Sequence, residues 1–460
     1  MEMKRIVIIF VLLGMAMAGC GNLMEHPKVG NIHQSNPKME TVSLKYVYWG
    51  SPAEKTAIEK VCKSFSDKSG YISVEPINIP ESDFDAKVTA MAAANETPDA
   101  GYVTSLLASA WVGKGKFVNW FEMLSKDKEM KKEDFIEGIW FQTDPDTAYG
   151  ISTAVECFGL FYNKDAFKEA GLPEPPTKIA KAWTWEYFVE VAKKLTIDKN
   201  GKNATQTGFD PKNIKQYGVT FEKWWGPWSV HVLNNGGDYL SEDGKSFGLS
   251  KPEATRAIQR LADLINVHHV APTLIQAKSI PSQAAAIHTR MAAMSMMGQW
   301  INIDLGNAKA NYGIGVLPKM DKESGTILIS GVSVIYKDTR HLDEAWALSK
   351  YLCGEGAMDL YTSGLWMPTM KKFYADPAKL ATWVGPNAAH PEGFQDSILD
   401  AVMNHSKPSV AYYVNNFGKL DSMVAAALDP VWLGKKSAED AMKELEPEIA
   451  PEIQGKVKLK

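Results

Sequence analysis

The chain has 460 residues, 45% hydrophobic and 23% charged, an ordinary globular composition long enough for two or three domains. A net charge of −4 and the lack of a long basic run weigh against nucleic-acid binding. Arginine occurs only at positions 5, 256, 260, 290 and 340, which is sparse for a protein that grips phosphates or carboxylates with planar forks.

Lys4 and Arg5 precede an apolar run from Ile6 to Ala18, followed by Gly19-Cys20. The run is too short to span a bilayer but suits the core of a secretory signal. Ala18 and Gly19 before a cysteine resemble a bacterial lipobox, in which the cysteine is lipidated and becomes the mature N-terminus, although Met17 stands where leucine is usual. The alternative is a plain cleaved signal with a bystander Cys20. Residues 1–19 are thus expected to be a signal peptide, and 20–40, which lack an apolar period, a lipid-anchored flexible tether. Cys62, Cys157 and Cys353 have neither disulfide nor zinc spacing, and Cys62 falls on the apolar face of an expected helix as a small core residue.

From 44 to 103 strand and helix alternate. Leu44 to Trp49 reads as a strand, and the helix after it carries Ile58, Val61, Cys62 and Phe65 on one face and stops at Gly70. Ser51-Pro52-Ala53-Glu54 fits a capping box with proline at the first helical position. Ser73 to Ile79 reads as an edge strand, because Pro76 cannot donate to a ladder. A helix from about 83 to 94 and a strand from Asp99 to Val103 follow, and two such units imply a parallel sheet covered by helices. Further on, Trp185 to Leu195, Lys251 to Val267 and about 342 to 353 read as helices, and Asn311 to Pro318 and Ile327 to Tyr336 as strands.

Residues 224–228 read WWGPW. Pro227 keeps Trp224, Trp225 and Trp228 out of a helix interior, and flat aromatic surface on a loop suits either core packing or a ligand face. In a doubly wound sheet ligands gather beyond the carboxyl ends of strands, which singles out Trp49, Ser51, Thr104 and Ser105. Trp366 lies on a glycine-proline loop and is a further candidate.

Motifs for nucleophilic, metal-dependent, nucleotide-dependent and phosphate-binding chemistry are absent. DKNGKN, from 198, begins like a calcium loop, but Lys202 and Phe209 occupy ligand positions, so it reads as a turn. His268-His269 has no third ligand at metal spacing. No cofactor is expected.

Tyr149 to Pro176, TPDAGYV (97–103), NGGDYL (235–240), MSMMGQW (294–300), and NYGIGVLP followed by ISGVSVIY resemble, in order, family 1 extracellular solute-binding proteins of ABC importers, the maltose-binding-protein-like group. The likeness runs from about 42 to 450. It implies an α/β fold of two lobes joined by a hinge, with the ligand in the cleft between them. It also implies crossings at Ser152 to Glu156 and near Ile329 to Gly331, with lobe 1 at 41–153 plus about 301–350 and lobe 2 at 154–300 plus about 351–460.

Carried over by position, Ala154-Val155-Glu156 matches a motif whose glutamate hydrogen-bonds sugar. Gly298-Gln299-Trp300 matches one that supplies a stacking tryptophan. Tyr412 and Tyr413 sit where an aromatic pair lines the cleft, Trp224 and Trp225 take the place of the aromatics before the GGx turn, and Gly331 falls at the hinge. The implied function is capture of a neutral mono- or oligosaccharide by a monomer anchored to the cell membrane through Cys20, for delivery to importer permease subunits, without catalysis. Two alternatives remain open. One is an extracellular carbohydrate-active enzyme, which needs two carboxylates about 5–9.5 Å apart. The other is the same fold holding a sugar phosphate or a polyamine.

Overall fold

The computed structural model describes residues 40–385 and 387–458. The expected signal peptide, Cys20 and nearly all of the tether lie outside them.

Local sequence signals set the first elements. Ser51 caps helix α1 (Pro52–Ser69) by accepting the Glu54 N–H at 3.3 Å, Pro52 opens the helix, and Gly70 closes it with φ 74°, a left-handed turn that favours glycine. The buried face of α1 is Ile58, Val61, Cys62 and Phe65, and the Ile, Val and Phe side chains each contribute about 1.5–3 kcal/mol on leaving water. Helix α2 (Phe84–Ala93) and helix α3 (Ser105–Val112) follow, and Thr104 caps α3 by accepting the Leu107 N–H at 3.0 Å.

The strands in chain order are β1 (Val42–Tyr48), β2 (Ile72–Asn78), β3 (Ala100–Val103), β4 (Trp140–Asp144), β5 (Thr147–Ser152), β6 (Phe158–Asn163), β7 (Ile197–Asp198), β8 (Ile214–Phe221), β9 (Ala292–Gly298), β10 (Tyr312–Gly315), β11 (Thr326–Leu328), β12 (Val332–Ile335) and β13 (Ser406–Pro408). They form a six-stranded sheet in the order β2-β1-β3-β12-β5-β4, a five-stranded sheet in the order β10-β6-β9-β8-β7, and the small pair β11-β13. β2 is an edge strand, consistent with Pro76, which pairs with Tyr46 in register.

This is the architecture of two-lobe binding proteins, one large sheet to a lobe. The chain passes from the first sheet to the second between β5 and β6, and returns between β11 and β12. The Ile329 N–H bonds the Glu156 carbonyl at 2.9 Å, so the two crossings run side by side. Two expectations need correction. Residues 301–315 do not belong with lobe 1, because β10 pairs antiparallel with β6 in the second sheet. Residues from about 351 do not all pass to lobe 2: Tyr351 Oη meets Ser64 of α1 at 3.0 Å, and Asp359 pairs with Lys60 of α1 at 2.8 Å. The stretch 327–336, read as one strand, is two, because the chain changes sheets at 329–331.

The WWGPW segment is a helix start, not a loop. Trp224 is the N-cap of the helix Trp225–Asn234, which places Pro227 in its first turn. N–H groups there have no intrahelical partner, so proline loses nothing.

Candidate functional site

In both sheets the crossings occur at one end. β1, β2 and β3 run parallel, and β12 begins and β5 ends beside the C-terminus of β3. β8 and β9 run parallel, and Phe158, the first residue of β6, pairs with Gly298, the last of β9. The C-terminal ends of the parallel strands therefore meet at the chain crossings, where open α/β sheets take ligands.

Each lobe brings aromatic rings to this place. On the first, Trp49 follows β1 half-buried, with its ring edge-on to Phe84 at 4.9 Å and to Tyr102 at 4.6 Å. On the second, Phe158 lies between Trp224, at 6.0 Å, and Trp300, at 5.7 Å. Trp224 is 37% exposed, and its indole N–H is fixed on Glu222 at 2.6 Å, which leaves ring surface open.

Carboxylates stand at the same strand ends. Glu54 accepts the Tyr102 hydroxyl at 2.8 Å, and that hydroxyl also reaches the Trp49 carbonyl. Burial drives the Glu54 pKa up to about 7, against the lowering effect of the Tyr102 and Ser51 hydrogen bonds. Asp304 accepts the Ser51 hydroxyl at 3.2 Å, and Asp85 accepts the Thr104 hydroxyl at 2.8 Å. Burial raises both pKa values, with these hydroxyls working against it. Glu156, on the crossing itself, is raised well above its ordinary value by burial, although Ser330 donates to it. Glu222 is raised by burial and held back by the Trp224 indole. Desolvation, then Glu222 and Asp85, raise Glu81, whose side chain still reaches solvent. The nearby cation is Lys223, which burial lowers to about 8. Among the described residues no group of three His, Cys, Asp or Glu could hold a metal ion.

The expected site residues separate into two groups. Trp49, Ser51, Thr104, Glu156, Trp224 and Trp300 meet at the strand ends, but the hydroxyls of Ser51 and Thr104 are already engaged in caps and with Asp304 and Asp85. The others have different surroundings. Trp225 is 6% exposed, with its ring edge-on to Phe417 at 5.1 Å, so it is core packing between two helices. Ser105 is buried in the first turn of α3. Trp366 is 2% exposed, its ring 6.3 Å from Tyr102. Tyr412 is buried, and its hydroxyl is taken by Ser152 Oγ and by the Ser330 N–H and carbonyl, each at 2.9 Å, so it braces both crossings. Tyr413 lies under the Lys456 ammonium, 6.0 Å from its ring. Gly331 leaves room for the protein's own rings: a Cβ there would fall 2.7 Å from Trp49 Cη2 and 3.0 Å from Tyr102 Cδ2.

Sequence reasoning missed Glu81, Asp85, Glu222 and Asp304, and favoured a capping role for Glu54 over ligand contact. The available signal was position, since each follows closely on a strand whose end faces the crossing. A groove of about 820 Å³ lies at the opposite, N-terminal ends of β8 and β9. Its Arg290 is engaged with Glu169 at 2.6 and 2.7 Å.

The sequence profile of the bacterial extracellular solute-binding proteins matches residues 49–359, from Trp49 at the end of β1 through the second crossing. The chain belongs to this family. It is a solute-binding protein rather than an enzyme, which sets the glycosidase alternative aside.

Similar proteins include the arabinooligosaccharide-binding protein of Halalkalibacterium halodurans, 31% identical over 123 residues, covering 27% of this chain and 23% of that protein. The multiple sugar-binding protein of Streptococcus mutans is 21% identical over 340 residues, covering 71% of this chain and 74% of the relative. Among solved structures, an ABC substrate-binding protein from Listeria monocytogenes in complex with cycloalternan superposes with a TM-score of 0.75 at 19% identity, over 90% of this solute-binding protein and 99% of that chain. At that identity the likeness carries the two-lobe fold alone. Among the described residues no helix is long and apolar enough to cross a membrane.

Proposed function

We propose that this protein captures a neutral saccharide between its two lobes and delivers it to the permease of an ABC importer, held at the membrane by a lipid on Cys20. The observation that carries the reading is the pair of aromatic clusters, Trp49 with Phe84 and Tyr102 on one lobe and Trp224 with Phe158 and Trp300 on the other, at strand ends that also bear hydrogen-bond acceptors. A sugar ring offers an apolar C–H face to flat aromatics and a rim of hydroxyl donors to carboxylates. In this reading Trp49, Trp224 and Trp300 stack on the ligand and Glu156 accepts its hydroxyls. The names of the relatives, which bind arabino-oligosaccharides and multiple sugars, lend support.

The carboxylates weigh against a sugar phosphate, whose charge they would repel at close range. They favour one second reading, an amine-bearing ligand such as a polyamine, since acids beside aromatic faces also suit a cation. A thermal-shift panel of neutral mono- and oligosaccharides, sugar phosphates and polyamines separates the readings. A neutral saccharide at a hundred times its Kd should stabilise the protein by about 2.7 kcal/mol. Stabilisation by polyamines alone would overturn the saccharide reading. For the anchor, Cys20→Ala should shift the protein from the membrane fraction to the medium or leave it unprocessed. Processed, membrane-bound variant would refute the lipid.

A further inference from the structure

Beside the crossings, the first lobe holds a small cavity between its sheet and the helices that cover it. Tyr46 of β1 and Ser333 of β12 line the sheet side, and Thr153 of the first crossing lines one end. Trp120 and Ser349 line the other side, from the helices Trp120–Lys126 and Leu342–Cys353. About 10 Å³ is open to the centre of a water molecule, which is room for one.

Two of the lining side chains are unpaired. Trp120 is 1% exposed and Tyr46 2%, yet among the described residues neither the Trp120 indole N–H nor the Tyr46 hydroxyl has a hydrogen-bond partner. An indole N–H can only donate, so it needs an acceptor. Buried polar groups without partners are rare, because nothing returns the cost of drying them.

The two serines offer the reverse. Ser349 donates its proton to the Ala345 carbonyl at 2.9 Å, and Ser333 donates to Thr153 Oγ1 at 3.0 Å. Both protons are spent inside the protein, while both oxygens keep lone pairs. The cavity therefore presents two donors and two acceptors, and no charged side chain lines it. A small anion would meet the serine lone pairs with no cation to hold it, and a metal ion would find no carboxylate. A water satisfies both kinds of group at once.

We infer that this cavity binds one structural water, which accepts from Trp120 Nε1 and Tyr46 Oη and donates to the serine hydroxyls. The chain of bonds runs on from Ser333 through Thr153, whose hydroxyl donates to the Gly331 carbonyl at 3.1 Å. The water thus joins β1 and two covering helices to the root of both crossings. The site does not depend on what the cleft carries.

A high-resolution crystal structure of the mature chain should show an ordered water within about 3.2 Å of both Trp120 Nε1 and Tyr46 Oη. No density there, or a direct bond between the two side chains, overturns the site. Tyr46→Phe, followed by urea unfolding, gives an independent sign. If the hydroxyl holds a water, its loss leaves that water short of a partner and the midpoint falls. If the hydroxyl is simply unpaired, its removal relieves a dried polar group and the midpoint rises. A midpoint at or above the wild-type value therefore overturns the inference. Tyr46→Phe and Ser349→Ala together should cost less than the sum of the two, because both act on one water. Costs that add would break the bridge between them. The crystal structure decides alone if a variant fails to fold.

Discussion

Trp224 and Trp225 are neighbours in sequence with opposite surroundings, and replacing each with alanine should separate binding from stability. Trp225 is 6% exposed, edge-on to Phe417 at 5.1 Å and to Trp224 at 5.4 Å, in the first turn of a fully buried helix. Its truncation removes a large buried ring and leaves a cavity, at a cost of about 3–5 kcal/mol. Trp224 is 37% exposed and held by Glu222, so its truncation should cost less than about 2 kcal/mol of stability. If its open face stacks on the ligand, however, binding weakens by about 1–2 kcal/mol, or roughly 5- to 30-fold in Kd. Urea unfolding followed by far-ultraviolet circular dichroism reads the stability, and isothermal titration with a saccharide found in the thermal-shift panel reads the affinity. The reverse pattern, with Trp224→Ala binding normally and Trp225→Ala losing affinity at full stability, would refute this division of roles.

Tyr412→Phe removes the hydroxyl that ties Ser152 to the backbone of Ser330, leaving buried groups unpaired at both crossings. A loss of about 1–3 kcal/mol in urea unfolding is expected, and an unchanged midpoint would count against the brace. Gly331→Ala pushes a Cβ to 2.7 Å from Trp49 Cη2 and should displace that ring, with a stability cost of about 1–3 kcal/mol and at least about tenfold weaker saccharide binding. Wild-type affinity in this variant would remove Trp49 from the ligand face. Burial pushes the Asp127 carboxyl up, but the Trp346 indole at 2.7 Å, the Glu129 and Met130 N–H groups and the Lys350 ammonium prevail and hold it at about 2, below the ordinary 3.8. The depressed group stabilises the fold above its unfolded value, and that stability, about 2 kcal/mol, is lost as pH falls from about 4 through 2. Asp127→Asn should flatten the pH dependence of unfolding in that window. A full pH dependence in the variant would assign it to other groups.

The local elements were legible because their signals are local. The Ser51 cap, Pro52, the 3.6-residue apolar period and Gly70 define α1 within the segment itself, and Trp185–Leu195 has its observed bounds in the sequence. Pro76 marked an edge strand without knowledge of its neighbours. The errors arose where distant segments decide. The apolar run 327–336 has the period of one strand, yet Glu156 captures Ile329 and the next turn belongs to another sheet. The tryptophans of WWGPW are chemically identical on the page, and only the helix from 417 to 432 buries Trp225 and spares Trp224. Ser51 and Asp304 lie 253 residues apart, so no spacing could pair them. Gly331 was legible as a hinge position, but nothing in the sequence told that Trp49 and Tyr102 would crowd it.

Capture by closure of two lobes is the central claim, and small-angle scattering of the mature protein tests it most directly, without ligand and then saturated with the saccharide that gives the largest thermal stabilisation. Closure predicts a smaller radius of gyration in the saturated sample, because the lobes rotate together about the crossings at 152–156 and 329–331. Identical curves from a sample shown by titration to be saturated would contradict it.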